Sequence, residues 1–181
     1  YQCSGLVSLT IPSSVTVLGH GSFYGCSALT NLYIPTSVST IPSKCFIGCI
    51  HLESINLPPS IHSIGDTCFL GCTRLSSILL PQGITSIGDW CFDGCIHLTS
   101  VSLPSSVLSL GKECFERCTG LTALSIPPSV TSIGAGCFKN CSQLTSVTLP
   151  SLYKKRITSL FTEDPSFFER IPRSIVYTNS H

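Results

Sequence analysis

A step of 23 residues runs through almost the whole chain. Proline recurs at Pro12, Pro35, Pro58, Pro81, Pro104, Pro127 and Pro150, and phenylalanine at Phe23, Phe46, Phe69, Phe92, Phe115 and Phe138. A fixed period of this length restricts the fold to a solenoid. Each repeat is one coil that cannot bury its apolar side alone and does so by stacking on its neighbours. The 181 residues are enough for one domain with a sizeable core.

Three apolar columns precede each proline. The first is leucine throughout, from Leu6 and Leu29 to Leu121 and Leu144. The second runs Leu9, Leu32, Ile55, Ile78, Val101, Leu124 and Val147, and the third Ile11, Ile34, Leu57, Leu80, Leu103, Ile126 and Leu149. The last two columns alternate with period two, which predicts a short β-strand with one face inward, closed by the proline. A second apolar pair follows, for example Ile61 with Ile64 and Ile84 with Ile87. Gly19, Gly65, Gly88, Gly111 and Gly134, with Pro42 in the second coil, then read as turn residues.

The coil ends in C-F-x-G-C. Cysteines at i and i+4 fall on one face of a helical or 3₁₀ turn, for which Asp66 and Asp89 are placed as caps. Gly25, Gly48, Gly71 and Gly94 precede the second cysteine, then Arg117 and Asn140. Asparagine tolerates a left-handed backbone and arginine does so poorly, so the fifth turn is expected to be looser.

The pattern L-x-x-I-x-I-P-x-S-V-x-x-I-G-x-x-C-F-x-G-C, in register over about residues 1–152, resembles the BspA-type leucine-rich repeat. The resemblance implies a curved solenoid of parallel β coils with short helical or 3₁₀ turns. It also implies surface proteins of bacteria and parasitic protists that bind host matrix or other cells. Alanine is common in that family at the first cysteine position.

Residues 153–181 read as a degenerate capping repeat. Tyr153, Leu160, Phe161 and Phe167 keep apolar columns, but Arg156, Asp164 and Arg170 break them, and Ile171-Pro172-Arg173-Ser174-Ile175 echoes the I-P-S-S-V motif one residue early. Eight of the 19 charged residues lie between Lys154 and Arg173, as suits an end coil that shields the core. Tyr1 is already in phase with the repeat and methionine is absent, so the chain reads as a piece of a longer protein with coils missing upstream.

Several function classes are disfavoured. A net charge of +1 supplies no field for nucleic acid or an anionic membrane. No apolar run approaches the ~20 residues of a membrane span. Catalysis needs different groups converging on a point, whereas a solenoid spreads equivalent positions into lines. His51 and His97 share a column two coils apart, too far to share a metal ion, and His20 and His62 lie in other columns; all four read as solvated surface residues. Asp89, Asp93 and Glu116 form no close pair on this template. There is no phosphate loop or nucleophile motif, and no cofactor or metal site is expected. Asn140-Cys141-Ser142 matches a glycosylation sequon, but Cys141 is a core position.

All twelve cysteines sit in two columns. The first reading is small buried hydrophobes beside the phenylalanines. The second is a disulfide ladder between coils, and the third, metal binding, suffers from a spacing unlike that of zinc sites.

Only 10% of residues are charged, against about a quarter in ordinary domains, so hydroxyls supply much of the surface. Lys44, Asp66, Arg74, Asp89, Asp93, Lys112, Glu113, Glu116, Arg117 and Lys139 fall on the outer turn, both signs interspersed as on a solubilising surface. The candidate partner-binding face is the outward side of the repeated strand: Asn31, Tyr33, Ser54, Asn56, Ser77, Leu79, Ser100 and Ser102. Tyr33 and Leu79 interrupt its hydroxyl pattern, and an exposed tyrosine can anchor an interface. The expected function is non-enzymatic binding of protein or glycan at a cell surface, with an intracellular scaffold in a larger assembly as the alternative.

Overall fold

The computed structural model describes residues 2–161 and 174–178. Coils are numbered from the conserved leucines: coil one spans residues 6–28, coil two 29–51, coil three 52–74, coil four 75–97, coil five 98–120 and coil six 121–143, and coil seven starts at 144. In coils two to six the three residues before I-P or L-P form the predicted strand; coil one has only a bridge from Thr10 to Tyr33, and in coil seven the strand runs on through the proline. These are β1 (Asn31–Tyr33), β3 (Ser54–Asn56), β5 (Ser77–Leu79), β7 (Ser100–Ser102), β9 (Ala123–Ser125) and β11 (Ser146–Pro150). The second apolar pair gives a shorter series, β2 (Thr40–Ile41), β4 (Ser63–Ile64), β6 (Ser86–Ile87), β8 (Ser109–Leu110) and β10 (Ser132–Ile133), which form one five-stranded parallel sheet in sequential order.

Register follows the period. Leu32 lies opposite Ile55, Ile64 opposite Ile87, and Ile78 opposite Val101, each one coil apart. A one-residue slip would turn every inward isoleucine to solvent, so burial of one face locks the stacking. The leading leucines Leu29, Leu52, Leu75, Leu98 and Leu121 are completely buried, as are Val38, Ile61 and Ile84.

The phenylalanines form a single stack. Ring centroids from Phe23 to Phe115 are 5.2–5.3 Å apart with planes within 8° of parallel. The step lengthens to 6.2 Å at Phe138, and Phe161 closes the column at a 42° tilt. Such offset stacks gain about 0.5–1.5 kcal/mol per pair beyond simple burial.

The C-F-x-G-C segments do form i→i+3 turns, such as Cys49 N–H to Phe46 O at 3.2 Å. They do not continue as helix, because two residues per coil take left-handed backbone. One is the expected position before the second cysteine, with φ of 68–72° at Gly25, Gly48, Gly71 and Gly94. The other precedes the first cysteine, at residues of no special turn chemistry: Lys44, Thr67, Trp90 and Glu113 have φ of 50–63°. These reversals aim alternate amides at the next coil. Lys44, Phe46 and Gly48 donate to the carbonyls of Asp66, Cys68 and Leu70 at 2.8–2.9 Å. The turn is thus a third inter-coil ladder, which satisfies backbone groups that would otherwise be buried without partners.

Gly65, Gly88, Gly111 and Gly134 serve a different purpose from the turn role expected of them. None has positive φ, but a Cβ on any of them would collide with the backbone of the preceding coil. They are glycine because the coils approach there, not because the chain reverses.

The cysteines match the first reading. Eleven are buried and only Cys3 is exposed; all twelve are free thiols. The second column has a specific role: Cys49, Cys72, Cys95, Cys118 and Cys141 each donate Sγ–H to the carbonyl of the phenylalanine in the preceding coil, at 3.0–3.3 Å. Burial pushes Cys45, Cys49 and Cys141 up to about 12 and Cys72 and Cys95 well above the usual thiol value.

In coil seven, Tyr153, Leu160 and Phe161 are buried on the apolar columns assigned to them. A 3₁₀ turn (Ser151–Tyr153) and helix α1 (Ile157–Phe161) replace the second strand. Strand β12 (Ser174–Thr178) then pairs with β11, placing Ile175 opposite Val147. The 23-residue step would have placed Arg170 there, so the last coil is five residues longer and Ile175 belongs to the second strand column, not to the valine of an I-P-S-S-V echo. Asp164, Phe167, Arg170, Ile171, Pro172 and Arg173 lie outside the described residues.

Candidate binding surface

Strands β1, β3, β5, β7 and β9 have the pattern exposed–buried–exposed, because successive side chains alternate across a strand. The inward residue packs into the core, and the two outward residues face away from it. All eight candidate residues are exposed. Asn31 and Tyr33 face Ser54 and Asn56 in the next row, and Ser77 and Leu79 face Ser100 and Ser102. Tyr33 is 56% exposed and Leu79 77%. They share one column two coils apart, so an apolar contact recurs along an otherwise hydroxyl- and amide-lined face. No charged side chain falls in either outward column from Ser8 to Thr148.

An open groove of about 810 Å³ runs along the second strand series. Ser63, Ser86 and Ser109 and the close-approach glycines line it, together with Asp66, Asp89 and Lys112. The serine column is visible in the sequence at 23-residue spacing, whereas the close approach of the preceding coil at the lining glycines is not. Asp66 and Asp89 do not cap their own turns. Asp66 Oδ1 accepts the amide of Asp89 at 2.9 Å, and Asp89 Oδ1 that of Lys112 at 2.7 Å, so each caps the following coil.

The outer turn is less simply solvated than its charges suggest. Asp93, Glu113 and Glu116 are buried. Arg117 binds both oxygens of Asp93 at 2.8 and 2.6 Å. Trp90 Nε1 donates to Glu113 at 2.8 Å, and Lys139 lies 3.4 Å from Glu116. Burial, with Glu113 beside it, pushes the Glu116 carboxyl up to about 7, against the opposing pull of Lys139. The fifth turn is not loose, since Arg117 keeps φ at 56° and donates to Lys139 O at 2.9 Å. His51 and His97 also do more than face water. Their Nδ1 atoms meet the carbonyls of Ser27 and Thr73, one coil back, at 2.8 and 2.7 Å. Among the described residues no group of three or more His, Cys, Asp or Glu side chains could hold a metal ion, and no helix is long and apolar enough to cross a membrane.

A solenoid of 23-residue parallel β coils with a leucine, a proline and a phenylalanine column is a leucine-rich repeat protein. The chain belongs to the BspA-type leucine-rich repeat region family, whose profile matches residues 1–122 and 39–168 in six copies. It is similar to the leucine-rich repeat protein TpLRR of T. pallidum, with 26% identity over 87% of this chain and 84% of that one and a TM-score of 0.68. A leucine-rich cell surface protein of Faecalibacterium prausnitzii A2-165 is 28% identical over 78% of this chain, with a TM-score of 0.58. The pneumococcal vaccine antigen PcpA, 22% identical over 78% of this chain with a TM-score of 0.56, shares the fold. The chain spans 47% and 38% of those last two proteins. No curated protein matches it.

Proposed function

We propose that the chain is a non-enzymatic binding module that presents the outward face of its first strand series to a protein or glycan at a cell surface. The observation that carries this reading is the face itself. It is built on hydrogen-bonded parallel strands and free of charge over successive rows, with Tyr33 and Leu79 exposed on one column. A preformed, rigid face avoids much of the ordering cost of association. Its hydroxyls and amides supply hydrogen bonds, and Tyr33 offers an amphipathic ring of the kind that dominates interface energetics. The likeness to a protein described as a cell surface protein supports the location.

The test has two stages. Antibody to the folded module should stain intact source cells. Staining only after permeabilisation would sink the surface assignment and favour a scaffold within the cell. A matrix-protein and glycan screen should then give a ligand whose binding falls about tenfold or more with Tyr33→Ala or Leu79→Ser, as for hot-spot residues. Unchanged binding in both variants would move the site off this face.

A further inference from the structure

The hydroxyl columns of this solenoid are of two kinds. Some close on a carbonyl one coil back. Ser37, Ser60, Ser106 and Ser129 do so at 2.5–2.8 Å, and Thr99 and Thr145 at 3.3 Å. The column Thr40, Ser63, Ser86, Ser109 and Ser132 differs. It stands on the outward side of the second strand series, each residue in register with the next. Among the described residues, none of its hydroxyls is bonded within the protein. All five line the 810 Å³ groove, and so do the acids Asp66 and Asp89. The backbone holds those acids in place: Asp66 Oδ1 accepts the Asp89 amide and Asp89 Oδ1 the Lys112 amide, at 2.9 and 2.7 Å. A carboxylate has about four lone-pair sites, so each keeps acceptor capacity beyond that bond.

We propose that this groove is a second binding site, separate from the first-strand face, and that it takes a straight, uncharged glycan: a β-1,4-linked pyranose chain lying along the solenoid axis. Hydrogen bonding sets the ligand class. Carboxylates only accept, whereas serine hydroxyls donate and accept, so the matching ligand carries O–H groups on both edges. Charge narrows it. Asp66 and Asp89 repel an anionic polymer, and Lys112 on the same lining repels a cationic one. Spacing sets the linkage. The rows recur with the coils, whose stacked rings are 5.2–5.3 Å apart from Phe23 to Phe115. An extended β-1,4 chain advances by about one ring per such step and stays straight, so each ring meets an equivalent row; an α-1,4 chain coils away. A peptide fits less well. The groove crosses five strands rather than following a strand edge, so a peptide main chain finds no ladder to extend.

Calorimetric titration of the folded chain with the hexamers of β-1,4-linked glucose and β-1,4-linked N-acetylglucosamine tests this. At least one should bind, and more tightly than its dimer, because the hexamer reaches across all five rows. Ser86→Leu fills the middle of the groove from an outward position and should abolish binding. Asp89→Asn keeps an oxygen for the Lys112 amide and should weaken binding about tenfold, the worth of one hydrogen bond to a charged group. Tyr33→Ala should leave it unchanged. Failure of both hexamers to bind, equal binding of the α-1,4-linked glucose hexamer, or tighter binding of an uncharged serine- and asparagine-rich peptide would overturn the proposal. So would binding that survives Ser86→Leu; if that binding is lost in Tyr33→Ala, the glycan sits on the first-strand face instead. Should Ser86→Leu not fold, NMR of the native protein with the bound hexamer decides. Shifts centred on the Ser63, Ser86 and Ser109 amides support the groove, and shifts centred on Ser54, Ser77 and Ser100 refute it.

Discussion

Arg117 reaches back one coil and closes both guanidinium bonds on the buried carboxylate of Asp93, at 2.8 and 2.6 Å. The pair explains two departures from the repeat at once. Asp93 stands where Leu70 stands in coil three, and Arg117 where glycine stands in coils one to four. The bidentate contact offsets the cost of a left-handed arginine and of a desolvated acid.

Breaking the pair from one side should therefore be worse than removing it. Arg117→Gly relieves backbone strain yet leaves Asp93 without its cation, and should lower stability by about 2–3 kcal/mol, at the low end for buried pairs because the arginine is partly solvated. The double variant Asp93→Leu with Arg117→Gly restores the coil-three pattern and should be at least as stable as the parent. Chemical denaturation of the three proteins checks this, and a double variant weaker than Arg117→Gly alone would refute it.

The thiols should report their burial. With a thiol reagent near pH 8 the folded protein should show one fast-reacting cysteine, Cys3, and all twelve only after unfolding without reductant. A ladder of disulfides would instead leave the unfolded count short.

Phe92 sits 5.3 Å from both Phe69 and Phe115 and is fully buried. Phe92→Ala removes a ring from the middle of the stack and should cost about 3–5 kcal/mol, whereas Tyr33→Ala on the exposed face should stay within about 0.5 kcal/mol. Thermal unfolding distinguishes them; an unchanged curve for Phe92→Ala would remove the stack from the stability argument.

Two glycines that look alike in sequence should behave oppositely. Gly88→Ala drives a Cβ into the backbone at Asp66 and should destabilise by about 1–3 kcal/mol. Gly83 stands where Ser37, Ser60, Ser106 and Ser129 donate to carbonyls one coil back, and a Cβ there would lie at an ordinary 3.6 Å from Ile61 O. Gly83→Ser should restore the missing rung and stabilise by about 1 kcal/mol. Loss of stability on Gly83→Ser would show that the rung does not form.

Much of the fold was legible because a period constrains every coil together. Leu29, Ile34, Ile61 and Phe46 recur at one spacing, and only stacking can bury them all, so the strands, their register and the buried cysteine columns followed from spacing. The exposed face followed from strand alternation at Asn31–Tyr33 and its equivalents.

What the period could not convey is where neighbouring coils touch. The left-handed backbone at Thr67 and Trp90 carries no compositional mark, because inter-coil hydrogen bonds impose a conformation those residues do not favour alone. The glycine column looked like a set of turns until the approach of the preceding backbone was visible. Glu113, Glu116 and Asp93 looked like solvated charges, since a sequence position says nothing of the atoms lying over it one coil away. Sequence by itself determined the coil, its inward columns and its stacking, because these depend on hydrophobic periodicity. Only the tertiary structure decided which polar groups are buried and paired, because that depends on distances between residues about 23 apart, the period of the repeat.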